Sequence, residues 1–178
     1  LLLLLFIILS FSMKERFADV AVLFSNLELI IKAPIYFSEA EQDIMSARVY
    51  IWSRYIDAFR HADLLNQLVG FGAGAWNSRF DLYAHNTFVS YLYEYGVLGV
   101  SGFLFLCINV FVNAFKLQHK RLSRVLVLSF FGFLAMNMAT MPLWNIEGLI
   151  FFAILNSVII GQKSSAPLNT METKQDVM

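Results

Sequence analysis

Polar and apolar positions divide this chain into blocks of different character. It opens on LLLLLFIILSFS, an unbroken apolar run. From 14 to 86 polar residues recur every few positions, through FADVAVLFSNLELIIK, SARVYIWSRYIDAFRHADLLNQLV and GFGAGAWNSRF, too often for a helix that crosses a bilayer. Within 46–60, Val49, Trp52, Ile56 and Phe59 recur at spacings of three and four with Arg54 and Asp57 between them, the pattern of an amphipathic helix. From 87 the chain turns apolar. The run TFVSYLYEYGVLGVSGFLFLCINVFVNAF, 87–115, is about 43 Å long as a helix, more than the ~30 Å of a hydrocarbon core, so its first turns are expected to stand above the membrane. Segments 125–141 and 146–161 read as two further spans, joined by a tight turn around MPLWNIEG. The opening run 1–13 is shorter than a span and has neither a basic n-region nor an A-x-A-like cleavage site. It reads as the end of a truncated transmembrane helix, and the chain as the C-terminal part of something larger. The expected fold class is an all-α integral membrane protein. A large loop with amphipathic helices (14–86) precedes three spanning helices (87–161) and a polar, disordered tail (162–178).

Composition sharpens this picture. Charged residues make up 15% and hydrophobic residues 58%, where a soluble domain carries about 25% charged. Zero formal net charge gives no hint of nucleic acid, and none is expected as a partner. The charge falls in blocks: KLQHKRLSR, 116–124, holds four Lys/Arg and a histidine in nine residues. A short basic loop next to spanning helices reads as cytoplasmic, which puts 14–86 on the far side, in a bacterium the periplasm, and the tail in the cytoplasm. Seven Lys/Arg in 14–86 do not oppose this, because the rule weakens for loops beyond about 60 residues. Cys107 is the one cysteine, and His61, His85 and His119 are not at ligand spacing, so neither a metal nor a cofactor is expected.

The candidate chemistry begins in YAHNTFVSYLYEYGVLG, 83–99. Asn86 suits the N-cap of a helix starting at Thr87. His85 then sits at the positive end of a long helix dipole, which favours anions over an imidazolium, and a neutral imidazole there can act as general base. The plainer reading is an interfacial histidine. Glu94, nine residues on, is half a turn out of phase with His85 and reads as support bonded into the loop rather than as a catalytic group. Gly96, Gly99 and Gly102 make a small-residue strip for packing against another helix. GFGAGA, 70–75, formally fits a dinucleotide fingerprint but lacks a βαβ context. Gly70, Gly72 and Gly74 read instead as a turn between loop helices. Arg48, Arg54, Arg60 and Arg79 carry guanidinium groups that suit phosphate, and spacing does not choose among them. Trp76, Tyr83 and Tyr91 are placed to stack on sugar faces or to form an interfacial belt.

Taken in order, S-x-R-x-x-x-W (46–52), G-x-G-x-G (70–74), HNTFVSYLYEYGVLG (85–99), a basic loop and two helices resemble the O-antigen ligase and O-antigen polymerase family of bacterial inner-membrane glycosyltransferases. The resemblance covers about 46–161, and its most specific part is the HN…E-x-G-x-x-G string. It implies a multi-pass inner-membrane protein whose active site faces the periplasm. The implied reaction moves a glycan from an undecaprenyl pyrophosphate donor to a hydroxyl of an acceptor sugar. His85 maps onto the family's periplasmic histidine and Arg48 onto its loop arginine. Asn86, Trp76 and Tyr83 would then contact substrate, with Glu94, Gly70, Gly72 and Gly74 in support. A second family arginine, further upstream, has no match in this chain, and family members are roughly twice as long. The implied partners are the lipid bilayer, the lipid-linked donor and a lipid A-core or glycan acceptor. Ligation onto lipid A-core and polymerisation of repeat units share these motifs. A reading from another class, a non-catalytic membrane carrier with His85 and Glu94 as a proton relay, calls for ionisable residues in several spans, and 125–141 has none.

Overall fold

The computed structural model describes residues 27–175; the opening apolar run 1–13 and the start of the loop, 14–26, lie outside the described residues. Among the described residues the regular structure is all helical. In chain order the α-helices are α1 (Glu39–Gln42), α2 (Arg48–Arg60), α3 (Leu64–Val69), α4 (Thr87–Phe115), α5 (Lys120–Ala139) and α6 (Ile146–Gln175). Short 3-10 turns occupy Leu27–Ile30, Pro34–Tyr36, Ala75–Ser78 and Pro142–Trp144. Two compact units result. Among the described residues, the loop unit is 27–84 with Val89–Gly96, and the helical unit is His85–Phe88 with the chain from Val97.

The loop unit is held by aromatic side chains. Ile51, Tyr55 and Ala58 of α2 pack with Phe80, Ala84 and Tyr93. Tyr55 stacks on Phe80 with ring centroids 4.0 Å apart, and Tyr93 meets both rings edge-on at 5.3 and 5.2 Å. Phe71 stacks on the other side of Tyr93 at 4.6 Å. Such pairs add about 0.5–1.5 kcal/mol each beyond the area they bury. A second cluster joins Val49 to Leu29 and Phe37. Of the stripe its spacing suggests, Val49 and Trp52 are buried while Ile56 and Phe59 are half-buried, and Ile51, Tyr55 and Ala58 are buried on another side. Neighbours on two sides of the helix, rather than one flat surface, decide which positions go inside.

Helix α4 starts where the sequence pattern puts it but does not run straight through. At Gly96 the backbone leaves helical space, with φ 64° and ψ −164°. The expected strip of Gly96, Gly99 and Gly102 is thus corrected. Gly96 breaks the helix, and a Cβ there would run into the backbone of Leu68 and Gly70, while one on Gly102 would meet nothing. A break leaves the preceding carbonyls without their helical donors. The turn after α3 supplies replacements: Phe71 N–H donates to Tyr93 O at 3.0 Å and Gly72 N–H to Glu94 O at 2.9 Å. Residues Val89–Gly96 belong with the loop unit, while His85–Phe88 belong with the helical unit. What remains, 97–115, is about 28 Å of helix, close to the ~30 Å hydrocarbon thickness.

In the helical unit, α4 buries Phe103, Cys107, Val110 and Ala114, and α5 buries Leu126, Phe130, Phe133 and Asn137. Both sets follow the i, i+4, i+7, i+11 spacing of a helix-packing seam. Away from the seams the surface is apolar, with Phe105, Ile108, Leu128, Phe131, Ile150 and Ile154 exposed, as suits helices facing lipid. Among the described residues two helices, α4 and α5, are long and apolar enough to cross a membrane. The apolar part of α6, Ile146–Gln162, is shorter. The basic stretch is mostly helix as well: 116–119 turns the chain, and Lys120, Arg121 and Arg124 lie in the opening turns of α5, which His119 caps by accepting from Leu122 N–H at 3.2 Å. Helix α6 continues to Gln175, into the polar tail.

The break at Gly96 should be a strong determinant of stability. Gly96→Ala combines a left-handed side-chain conformation with contact against Leu68 and Gly70 backbone, so it should cost about 2–4 kcal/mol. Gly102→Ala should stay within about 0.5 kcal/mol of wild type. Thermal unfolding of both variants in detergent tests this; equal stability would mean the break is not a constraint.

Candidate functional site

Left-handed backbone at residues other than glycine is uncommon and costs about 1–3 kcal/mol where surroundings enforce it. Among the described residues it occurs at Met45, Ser46, Ala47 and His85, with φ of 54°, 56°, 64° and 51°. The first three form a left-handed turn directly ahead of Arg48, the opening residue of α2. The fourth is the histidine singled out in the sequence. Strain thus falls on His85, for which a catalytic role is expected, and on the three residues before Arg48, for which an anion-binding role is expected.

His85 lies between two anchored stretches of chain. On its N-terminal side, α2 holds the incoming segment. Trp52 Nε1 donates to Ala84 O at 2.8 Å, and Tyr55 donates from its hydroxyl to Leu82 O at 2.9 Å. Burial, with the Glu94 carboxyl adding to it, pushes the Tyr55 phenol above its ordinary value, so it remains a donor at physiological pH. Arg48, Trp52 and Tyr55 lie within about 60° of one another around α2, and Arg48 is half-buried at its N-terminus. Among the described residues no side chain caps that terminus; Arg48 N–H donates to Met45 O at 3.3 Å, and the next N–H groups of α2 lie beside the guanidinium. On the C-terminal side of His85, Asn86 caps α4: its Oδ1 accepts from Phe88 N–H at 2.9 Å, and its Nδ2 donates to Met138 O at 3.2 Å. Thr87 donates from Oγ1 to Asn137 Oδ1 at 2.7 Å. His85 and Asn86 belong to the helical unit and Arg48 to the loop unit.

Glu94 makes the loop contact its position suggested. It is fully buried, and its Oε2 accepts from Gly74 N–H at 2.9 Å. Among the described residues Oε1 has no hydrogen-bond partner, while Ser90 also bonds to the carboxylate. Gly70, Gly72 and Gly74 all have positive φ, of 79°, 100° and 73°, and form the expected turn. At Gly70 the requirement is also steric, since a Cβ would strike the Glu94 and Tyr95 backbone. Trp76 and Tyr83 come together edge-on, ring centroids 6.0 Å apart, with Tyr83 exposed.

The remaining loop cations separate once the chain is folded. Lys32 is spent on Glu41 at 2.7 Å, and Arg60 donates to Ile31 O at 3.3 Å. Arg54 lies over Phe80 and 3.9 Å from Asp81. With Arg79 and Asp57 it lines a shallow cleft of about 210 Å³. A larger cleft of about 630 Å³, between α5 and α6 and mostly apolar, contains none of the expected site residues. Sequence reasoning placed Trp52 only in the S-x-R-x-x-x-W string and the amphipathic stripe, and gave no role to Tyr55, Thr87 or Asn137. Asn137 alone carried a signal, as a polar side chain inside the apolar run FFGFLAMNMA.

No family model matches the chain, and no curated protein and no solved structure matches it.

The two α2 contacts should differ in weight. Trp52→Phe orphans the carbonyl of fully buried Ala84 and should cost about 1–3 kcal/mol. Tyr55→Phe frees the carbonyl of exposed Leu82 to water and should cost about 0.5–1 kcal/mol. Denaturation of the two variants ranks them, and the reverse order would remove Trp52 as the main anchor of the segment before His85.

Proposed function

We propose that the chain is part of a multi-pass membrane glycosyltransferase of the O-antigen ligase type. It would move a glycan from undecaprenyl pyrophosphate to a sugar hydroxyl of lipid A-core. The observation that carries this reading is the left-handed backbone, which falls on His85 itself and on the three residues leading into Arg48. Each such residue costs stability, and such strain gathers at functional sites. The polymerase reaction of the same family shares this chemistry.

The roles follow from what each group presents. Arg48 and the uncapped N–H groups of α2 offer positive charge and bidentate donors to the donor pyrophosphate. His85 takes the proton from the acceptor hydroxyl as that oxygen bonds to the anomeric carbon of the donor sugar. The bond from that carbon to the phosphate oxygen breaks, and undecaprenyl pyrophosphate leaves with the electron pair. Trp76 and Tyr83 contact sugar rings, and Glu94 holds the glycine turn. Three spans complete the membrane part, with α6 as the third, and the site faces the periplasm of a bacterial inner membrane. Four Lys/Arg at 116–124 support that orientation.

Two experiments test this reading. Lipid-linked glycan transfer by the full-length protein should fall about 10²–10⁴-fold in His85→Ala with donor binding nearly intact. Arg48→Lys keeps the charge but loses the planar fork, so donor binding and turnover should drop together. Wild-type turnover in His85→Ala would remove the base, and wild-type donor binding in Arg48→Lys would reduce Arg48 to a surface charge. For orientation, cysteines are placed at exposed Gln118 and exposed Ser78 in a chain with Cys107→Ala. In intact cells the cysteine at 78 should react with an impermeant thiol reagent and the one at 118 should not; the opposite pattern overturns the mechanism.

A further inference from the structure

Asn137 lies in the last turns of α5 with no exposed surface, in an otherwise apolar stretch. Its amide is satisfied on both sides. Nδ2 donates back to Phe133 O at 2.8 Å, within α5, and Oδ1 accepts from the Thr87 hydroxyl at 2.7 Å. The next residue along α5 repeats the connection, because Met138 O accepts from Asn86 Nδ2 at 3.2 Å. Two successive residues of α5 therefore grip the two residues that follow His85. Thr87 is fully buried and Asn86 nearly so, which keeps water from competing for these bonds.

An ordinary polar contact between membrane helices would account for one such bond. Two features set this pair apart. It grips the capping turn of α4, ahead of the Phe103, Cys107, Val110 and Ala114 seam where that helix packs. It also adjoins the left-handed torsion of His85, a conformation that persists only where neighbours over-determine it. With Asn86 committed to Phe88 N–H as well, the direction in which the chain leaves His85 is fixed by hydrogen bonds on consecutive residues.

We propose that Asn137 is a positioning residue for His85. It holds Thr87, and with it the capping turn, so that the imidazole is presented in one orientation. This inference rests on the proposed role of His85 as general base. Asn137 touches no substrate in this scheme and acts only through the histidine.

The test is a pair of cycles in the full-length protein. Asn137→Ala and the near-isosteric Thr87→Val should each lower turnover about 10–10²-fold with the donor KM unchanged, since a misplacement near 1 Å costs about that much. In a His85→Ala background neither change should lower turnover further. Asn137→Asp, which keeps an acceptor for the Thr87 hydroxyl, should recover part of the loss. A loss of the same size in the His85→Ala background, or wild-type turnover in both single variants, would overturn the proposal. A second readout does not depend on transfer: the rate at which diethyl pyrocarbonate modifies His85 should rise several-fold in Asn137→Ala. An unchanged rate rules the positioning role out even if turnover falls. Wild-type turnover in His85→Ala with an altered modification rate would instead refute the general base and leave the Asn137 contact standing.

Discussion

The loop unit depends on one exchange of hydrogen bonds. Gly96 ends the first helical stretch of α4, which would leave buried carbonyls without donors, and the glycine turn after α3 provides them from Phe71 and Gly72. The same turn donates a third bond in the same direction, from Gly74 N–H to the Glu94 side chain. Neither partner is satisfied alone. An unpaired buried polar group costs about 1–3 kcal/mol, so the break and the turn are stable only together. Tyr93, one residue before Glu94, then contributes the ring that Tyr55, Phe71 and Phe80 surround. The position of α2 follows from that cluster, and the segment that α2 holds through Trp52 and Tyr55 follows from α2.

How much of this was legible in the sequence depends on the range of the interaction. The bounds of α4 follow from a local pattern, an apolar run opened by an Asn cap, and the structure reproduces them. The amphipathic helix in 46–60 is likewise local, and α2 occupies most of it. The break inside α4 was not legible. Glycines three apart look the same whether they line a packing strip or end a helix. What decides is the backbone of Leu68 and Gly70, more than two dozen residues earlier in the chain. Length separates α6 from α4 and α5: its apolar part, Ile146–Gln162, is shorter, so the third span rests on the sequence pattern rather than on helix length.

The candidate site divides the same way. Asn86 as a cap and Glu94 as a tie into the loop were readable from residue type and position, because both act close to home or on a nearby turn. Spacing did not choose among the four loop arginines. The fold separates them by partner, giving Arg60 a carbonyl and Arg54 an aromatic face. Arg48 is set apart by the uncapped helix start and the left-handed turn before it, and backbone torsions leave no mark in a sequence that lacks glycine there. Asn137 was visible as a polar intruder, but its partner Thr87 is separated from it by 50 positions.

The torsion at His85 has a consequence for anyone engineering this protein. Position 85 adopts a backbone that glycine enters without cost and asparagine tolerates well, while a histidine gives up about 1 kcal/mol or more to stay there. A redesign scored on thermostability alone would therefore replace the imidazole, count the change as an improvement, and return a sturdier chain from which the proposed base had been edited out.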